Sequence, residues 1–142
     1  MKLEVGQFVR TKDGIIAKVD YIDDDTIFFD KDLYRTYGDS IDFLEKDNLE
    51  RIVKASYSII DILEEGDYAN GYYLSKIWEK DEITHYVNET PIKRKEREIV
   101  IQAPSYGGIE ILKNKNIKSV ITHEQMEQMA YKVEEWLKWN GI

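Results

Sequence analysis

The sequence contains no cysteine among its 142 residues, which excludes disulfide bonds, cysteine-type zinc sites and thiol nucleophiles. Histidine is also scarce, with only His85 and His123. A catalytic histidine needs a nucleophile and an orienting carboxylate nearby, and the sequence singles out no such set. We therefore predict no catalytic residue, no metal site and no cofactor.

Long hydrophobic runs are missing as well, which argues against a transmembrane helix. The opening "MKLEVGQF" lacks the apolar segment of a signal peptide, so we expect a cytoplasmic protein with no membrane partner. Neither a P-loop nor a GxGxxG or GxSxG motif occurs. An enzyme, in the form of a metal-dependent hydrolase that uses Asp and Glu, is the least favoured of three function classes.

Acidic residues are concentrated in one segment. Positions 20–47 hold ten acidic and three basic side chains, a net −7 within a chain of net charge −8. Such a field repels nucleic acid and favours basic partners, although solubility alone stays an open reading. We predict that this segment forms a protein-binding surface and that the chain does not bind nucleic acid directly. The predicted surface residues are Asp20, Asp23, Asp24, Asp25, Asp30, Asp32, Asp39 and Asp42.

The sequence also repeats itself. Two blocks match in the same order along the chain, which favours an internal duplication over chance. The first block aligns Leu3–Val9 with Leu63–Ala69 and Gly14–Ile16 with Gly71–Tyr73, and the second aligns Phe43–Val53 with Ile111–Ile121.

Each copy has the pattern of about five short strands separated by tight turns. In the first copy we also expect one helical turn near Leu33 to Tyr37. An open sheet of this size would leave two unprotected edges, so a small, strongly bent sheet or barrel is favoured. We predict a mostly β protein with a first repeat at 1–58, a second repeat at 59–122 and a helix at 123–142.

The opening Val5-Gly6, followed by a strand, Lys12-Asp13-Gly14 and a second strand, resembles SH3-like barrels of the KOW kind. The wider chain resembles small uncharacterised proteins of phages and prophages of low-GC Gram-positive bacteria, through Glu4–Ile15, Glu64–Gly71 and Asn116–Gln125. The resemblance implies two tandem SH3-like β-barrels and a phage origin. It implies no established activity.

The C-terminal segment is a predicted amphipathic helix that packs on the second repeat. Thr122 and Gln125 are placed as a capping box, in which each side chain satisfies a backbone N–H of the other residue. Apolar residues then recur at steps of three and four, which defines one helical face. They are Met126, Met129, Ala130, Val133, Trp136 and Leu137.

The favoured function is a non-enzymatic, phage-type protein that inhibits a host nucleic-acid-binding protein, such as a defence enzyme, through its acidic surface. Carboxylates on a rigid β surface can imitate the charge of a duplex. The alternative is a protein that sequesters a small molecule or nucleotide signal. Residues for such a ligand, or for an interface, are Tyr72, Tyr73, Trp78, Lys93, Arg94 and Arg97. The basic cluster at 93–97 is otherwise expected to be a solvated connection before the next strand, or a contact for an acidic region of a second subunit.

The end of the helix predicts self-association. Trp136 lies on the apolar face and Trp139 broadens that face at its end. Tryptophan and methionine are enriched in interface cores, so we expect a twofold dimer. Light scattering should give twice the mass of one chain for the wild type, and the mass of one chain after Trp136→Ala with Trp139→Ala. A wild-type chain that stays monomeric at high micromolar concentration contradicts this.

Overall fold

Strands dominate the fold. The computed structural model describes residues 2–30, 35–36, 40–79, 83–94, 96–102 and 108–139. Strands account for 45% of the protein and helices for 22%, so the predicted class, mostly β with one C-terminal helix, is confirmed. The strands are β1 Phe8–Thr11, β2 Ile16–Ile22, β3 Thr26–Asp30, β4 Arg35–Thr36, β5 Phe43–Glu45, β6 Ile52–Ser56, β7 Tyr68–Ala69, β8 Tyr72–Glu79, β9 Ile83–Val87, β10 Thr90–Arg94, β11 Arg97–Ile101, β12 Glu110–Leu112 and β13 Ser119–Ile121. Helix α1 spans His123–Trp139, and 3₁₀ segments span Lys46–Arg51, Ile59–Ile62 and Asn114–Asn116.

Two sheets hold most of the strands, and the fold includes a sheet that curls into a half-barrel. The first sheet is antiparallel and has the order β5-β3-β2-β1-β6. The second sheet has the order β12-β11-β8-β7-β13-β4. When each set of five strands is counted in chain order, the first five strands of the second sheet lie in the same spatial order as the five strands of the first sheet. In both sheets a 3₁₀ segment precedes the last of these five strands. A separate hairpin, β9–β10, continues the chain between β8 and β11.

Both halves open with the same backbone hydrogen bonds. Gly6 donates its N–H to the carbonyl of Val19 at 2.8 Å, and Gly66 donates its N–H to the carbonyl of Leu74 at 3.0 Å. Both glycines have a positive φ, 92° and 97°, which glycine adopts more readily than other residues. The two matching stretches of sequence therefore form matching turns.

The strand register corrects part of the repeat alignment. The sequence alignment equates Tyr72 with Ile15. In the structure Tyr72 pairs with Ala69 in the way that Ala17 pairs with Val9, so Tyr72 is the counterpart of Ala17. The cause is turn length. Asn70 and Gly71 both have positive φ and join their strands with two residues, whereas the turn between β1 and β2 is longer.

Two local predictions are wrong. Arg35 and Thr36 lie in the segment expected to form a helical turn, but they form strand β4, which pairs in parallel with β13. Lys93 and Arg94 were expected in a solvated connection, but they end strand β10, and Arg97 begins β11. In both cases pairing with another strand determines the conformation, and local sequence does not show that pairing.

Strand β1 is buried at all four positions because both of its faces are covered. Val9 points into the core of the first sheet. Its neighbour Phe8 points to the opposite face and lies in the core of the second sheet, together with Ile16 from β2. The linking segment Ile59–Ile62 contributes three further isoleucines to that second core. The core of the second sheet is therefore built from both predicted repeats, whereas the core of the first sheet contains residues of the first repeat only.

The predicted capping box is confirmed at the start of α1. The backbone N–H of Thr122 donates to Oε1 of Gln125 at 3.1 Å, and the N–H of Gln125 donates to Oγ1 of Thr122 at 3.3 Å. The Thr122 hydroxyl also donates to the carbonyl of Gly14 at 2.8 Å. The first turn of the helix thus contacts the β1–β2 turn of the first sheet, in addition to the second half on which it was predicted to pack. Within the described ranges, no helix is long and apolar enough to cross a membrane.

Gly14 should tolerate substitution much less well than Gly71. Both have φ of 84°, but a Cβ at Gly14 would lie 2.8 Å from Cβ of Glu124 and closer still to the Thr122 hydroxyl, whereas a Cβ at Gly71 meets nothing within 4 Å. Gly71→Ala should lower the free energy of unfolding by about 1–2 kcal/mol because of its φ. Gly14→Ala should cost about 1–3 kcal/mol more because of overpacking. Urea unfolding measures both, and equal losses would contradict the close contact between the turn and the helix.

Candidate functional site

A row of exposed aromatic side chains crosses the outer face of the first sheet. Tyr21 on β2 lies opposite Phe28 on β3, and Phe28 lies opposite Phe43 on β5. The Tyr21 and Phe28 ring centroids are 5.9 Å apart. The exposed fractions are 58% for Tyr21, 37% for Phe28 and 55% for Phe43. Large apolar side chains gathered at one exposed place are typical of interaction sites. We call Tyr21, Phe28 and Phe43 the aromatic row.

A β-bulge in β2 turns Tyr21 outward. Val19 pairs with the buried Phe29, while Tyr21 pairs with the exposed Phe28, so Asp20 is the extra residue between them. Without the bulge, alternation would place Tyr21 on the same inner face as Val19. Phe28 is exposed for a simpler reason: it is next to Phe29, and only one of two successive strand residues can face the core.

Exposed carboxylates lie beside the aromatic row, at the β2–β3 turn end of the sheet. Asp23, Asp24 and Asp25 are exposed at the β2–β3 turn, and Oδ1 of Asp23 accepts the N–H groups of Asp25 at 2.9 Å and of Thr26 at 2.8 Å. This turn holds the acidic tip beside the row. Glu45, which follows Phe43 on β5, is also exposed. We call this arrangement the acid-rimmed aromatic face.

The predicted acidic residues are placed as follows. Asp20, Asp23, Asp24, Asp25 and Asp42 are exposed, and Asp30 is half-buried at the end of β3. Asp32 and Asp39 lie outside the described residues.

The predicted ligand residues whose side chains are described, Tyr72, Tyr73, Trp78 and Arg97, do not converge. Tyr72 and Tyr73 begin β8 and Trp78 lies near its end, about 20 Å away along the strand at roughly 3.3 Å per residue. Trp78 donates its Nε1–H to Glu98 at 3.3 Å, and Arg97 is paired with Glu79 at 3.3 Å. A groove beside the β7–β8 turn contains none of these candidates. Its lining residues are Asn70, Glu110, Ile111, Leu112, Lys115, Asn116, Lys118 and Ser119.

Four predicted residues have side chains outside the described part of the chain. Lys93 and Arg94 are described only as backbone of β10, and Trp136 and Trp139 only as backbone of α1. Their proposed roles in ligand binding and in dimerisation stay predictions.

A second feature of the molecule is the buried side chain of Arg10, for which the sequence carries no local signal. Arg10 is 1% exposed and projects from the outer face of β1, on the same side as Phe8. Its Nη1 donates to Asp67 at 2.6 Å and to the carbonyl of Ile62 at 3.1 Å, and its Nη2 contacts Glu64 at 2.9 Å and Glu124 at 2.8 Å. One guanidinium therefore joins the first sheet, the second half and the helix.

Asp67 is the main partner of Arg10 and is fully buried. Its carboxylate also accepts the N–H of Glu64 at 2.7 Å and the N–H of His123 at 2.9 Å. In the first half, Gln7 occupies the matching position and accepts the N–H of Glu4 at 2.9 Å. The second half thus keeps the same side-chain to backbone hydrogen bond in its turn, but the acceptor is the charged carboxylate of Asp67, which can also neutralise Arg10.

The charge of Arg10 is firmly held. Burial acts to lower the pKa of the Arg10 guanidinium, but hydrogen bonds and charges from Asp67 and Glu124 outweigh this, and the pKa is raised above its ordinary value. Because the pKa is raised in the folded state, Arg10 stays charged at every pH below the ordinary range of arginine, and its ion pairs contribute stability there for as long as the partner carboxylates are ionised. Deprotonation of Arg10 therefore plays no part in any pH response near neutrality.

One group of described side chains has the geometry of metal ligands. Ligand atoms of Glu64, His123 and Glu124 all lie within 4.8 Å of one another. However, Nη2 of Arg10 already lies within 2.9 Å of both glutamates. A divalent ion at this place would be next to a fixed positive charge. We therefore assign the group to the Arg10 cluster, in which the guanidinium neutralises the carboxylates.

Comparison of the chain with protein-family models, with curated proteins and with solved structures finds no match.

Arg10 should be far more sensitive to Lys substitution than Arg97. Lysine keeps the charge but cannot form the bidentate contact with Asp67, and it leaves buried acceptors without donors. We expect Arg10→Lys to lower the free energy of unfolding by about 2–4 kcal/mol. Arg97 also pairs with carboxylates but is 40% exposed, so Arg97→Lys should change it by at most about 1 kcal/mol. Urea unfolding compares the two, and a tolerated Arg10→Lys would show that the cluster is not a central support.

Proposed function

We propose that the chain is a non-enzymatic, phage-type binding protein that inhibits a host nucleic-acid-binding protein. The observation that carries the proposal is the acid-rimmed aromatic face, in which Tyr21, Phe28 and Phe43 are exposed in one row beside exposed carboxylates at the β2–β3 turn end. Phenylalanine and tyrosine are enriched at the centres of protein interfaces, and charged residues are more typical of the rim. The face has this arrangement.

The sign of the rim indicates the class of partner. Residues 20–47 carry most of the net negative charge of the chain, and the exposed tip Asp23–Asp25 lies beside the aromatic row. Complementary charge speeds encounter with a basic surface and penalises acidic partners. Nucleic-acid-binding proteins carry basic surfaces, so a face of this kind competes with nucleic acid for the same surface.

We further propose that the two halves, 1–58 and 59–122, are copies of one SH3-like unit. The shared order of five strands, the matching hydrogen bonds of Gly6 and Gly66 and the 3₁₀ segment before the last strand support this. The two copies then have different roles. The first copy contributes the acid-rimmed aromatic face, and the second supports it through the core of the second sheet, to which both copies contribute.

The proposal is tested by capture from bacterial lysate, followed by competition. Tagged wild type should retain a basic protein whose binding is lost at about 0.5 M salt, because salt screens exposed charges. Added chain should then displace DNA or RNA from the purified partner in a gel-shift assay. Phe28→Ser should weaken retention at least tenfold, because it removes the centre of the row.

Tyr86→Ser is the matched control. Tyr86 is an aromatic residue with 73% exposure in the β9–β10 hairpin, which is not part of the first sheet. It should leave retention unchanged. No retained protein, equal loss with both variants, or binding that does not affect nucleic-acid binding would contradict the proposal.

A further inference from the structure

The aromatic row runs up to the terminal strand of the first sheet. Strand β5 is the terminal strand, and among the described residues it pairs only with β3. Phe43 and Glu45 on β5 remain exposed in the folded chain. An edge strand presents unpaired backbone groups that can template a further strand.

The hydrogen bonds of β5 show which backbone groups face outward. Phe29 donates its N–H to the carbonyl of Asp42 at 3.0 Å, and Lys46 donates its N–H to the carbonyl of Asp25 at 2.9 Å. Positions 42 and 46 therefore direct their backbone towards β3. Because backbone direction alternates along a strand, the N–H and C=O of Phe43 and the N–H of Glu45 point away from the sheet.

We propose that β5 accepts an extended segment of a basic protein partner as an added strand. The inference rests on the proposed function and specifies how the acid-rimmed aromatic face is engaged. An added strand would place one side chain next to Phe43 on the outer face, which extends the aromatic row by a fourth member. Backbone hydrogen bonds supply binding, and the side chains beside Phe43 and Glu45 supply selectivity.

Charge favours a basic segment over a second copy of this chain. Two copies that paired through β5 would place two edges of the same negative charge against each other, each bearing Glu45 and an acidic β2–β3 tip. Like charges on paired strands are destabilising, and charged side chains commonly protect edges from self-pairing. A segment with Lys or Arg opposite Glu45 removes this repulsion. The occupant is therefore a basic strand with an apolar or aromatic residue at its centre.

The test uses the full chain and a synthetic peptide of sequence Thr-Lys-Thr-Tyr-Thr-Lys-Thr. In an extended peptide, alternate N–H groups point to opposite sides. Two further peptides carry N-methyl groups either on the Tyr and Lys residues or on the central Thr residues. Both have the same charge and differ in which edge of the extended peptide carries the blocked N–H groups. Binding is measured by fluorescence polarisation and by amide hydrogen exchange of the protein.

Antiparallel addition predicts that N-methylation of Tyr and Lys weakens binding at least tenfold, whereas N-methylation of Thr changes it less than threefold. The amides of Phe43 and Glu45 should become protected from exchange when the parent peptide binds. Parallel addition would reverse the order of the two methylated peptides and would still support a strand at this edge.

A pair of variants tests the protein side of the edge. Glu45 has φ of −69°, which proline adopts without strain, so Glu45→Pro removes the outward N–H while the fold is retained. Glu45→Gln removes the same charge but keeps the N–H. Glu45→Pro should bind the parent peptide at least fivefold more weakly than Glu45→Gln.

The possible failures can be told apart. If both methylated peptides bind like the parent, if Phe43 and Glu45 stay unprotected, or if Glu45→Pro binds like Glu45→Gln, strand addition is overturned while binding to the face stands. If the parent peptide does not bind, or binds equally well to Phe28→Ser, the inference fails, whereas the proposed function is decided separately by the lysate capture and the displacement of nucleic acid.

Discussion

The burial of one positive charge, that of Arg10, is the constraint on which the remaining structure depends. A guanidinium that is 1% exposed is stable only where carboxylates and carbonyls surround it. Asp67 and Glu64 supply this environment from the second half, and Glu124 supplies it from the first turn of the helix. These contacts set the position of the helix start, the β1–β2 turn and the two sheets relative to one another.

This constraint divides the outer face of the first sheet into two parts. Phe8, Arg10 and Ile16 are covered by the second half. Tyr21, Phe28 and Phe43 lie beyond the covered part and stay exposed, although their residue types would suit a core. The Arg10 cluster therefore acts on the proposed function indirectly. It holds the supporting half in place and leaves the acid-rimmed aromatic face accessible.

Much of the local structure could be predicted from the sequence. The two openings with Gly6 and Gly66, the capping box of Thr122 and Gln125, and the acidic tip at Asp23–Asp25 depend on neighbouring residues, which the sequence shows directly. Strand β4 and strand β10 were missed because each depends on a pairing that short-range patterns do not reveal. The ion pairs of Arg10 with Asp67 and Glu124 were missed for a related reason, since 57 and 114 positions separate the partners.

By itself the sequence determined the mostly β class, the internal repetition, the helix start and the concentration of negative charge, because periodicity, turn residues and composition express these properties locally. Only the tertiary structure decided which face of each strand is covered. Alternation distinguishes two faces of β1 but does not say that both are buried, and a bulge at Asp20 reverses the direction of Tyr21. The covering of a face depends on what packs against it, and for β1 that is the second half of the same chain, held there by the charge of Arg10.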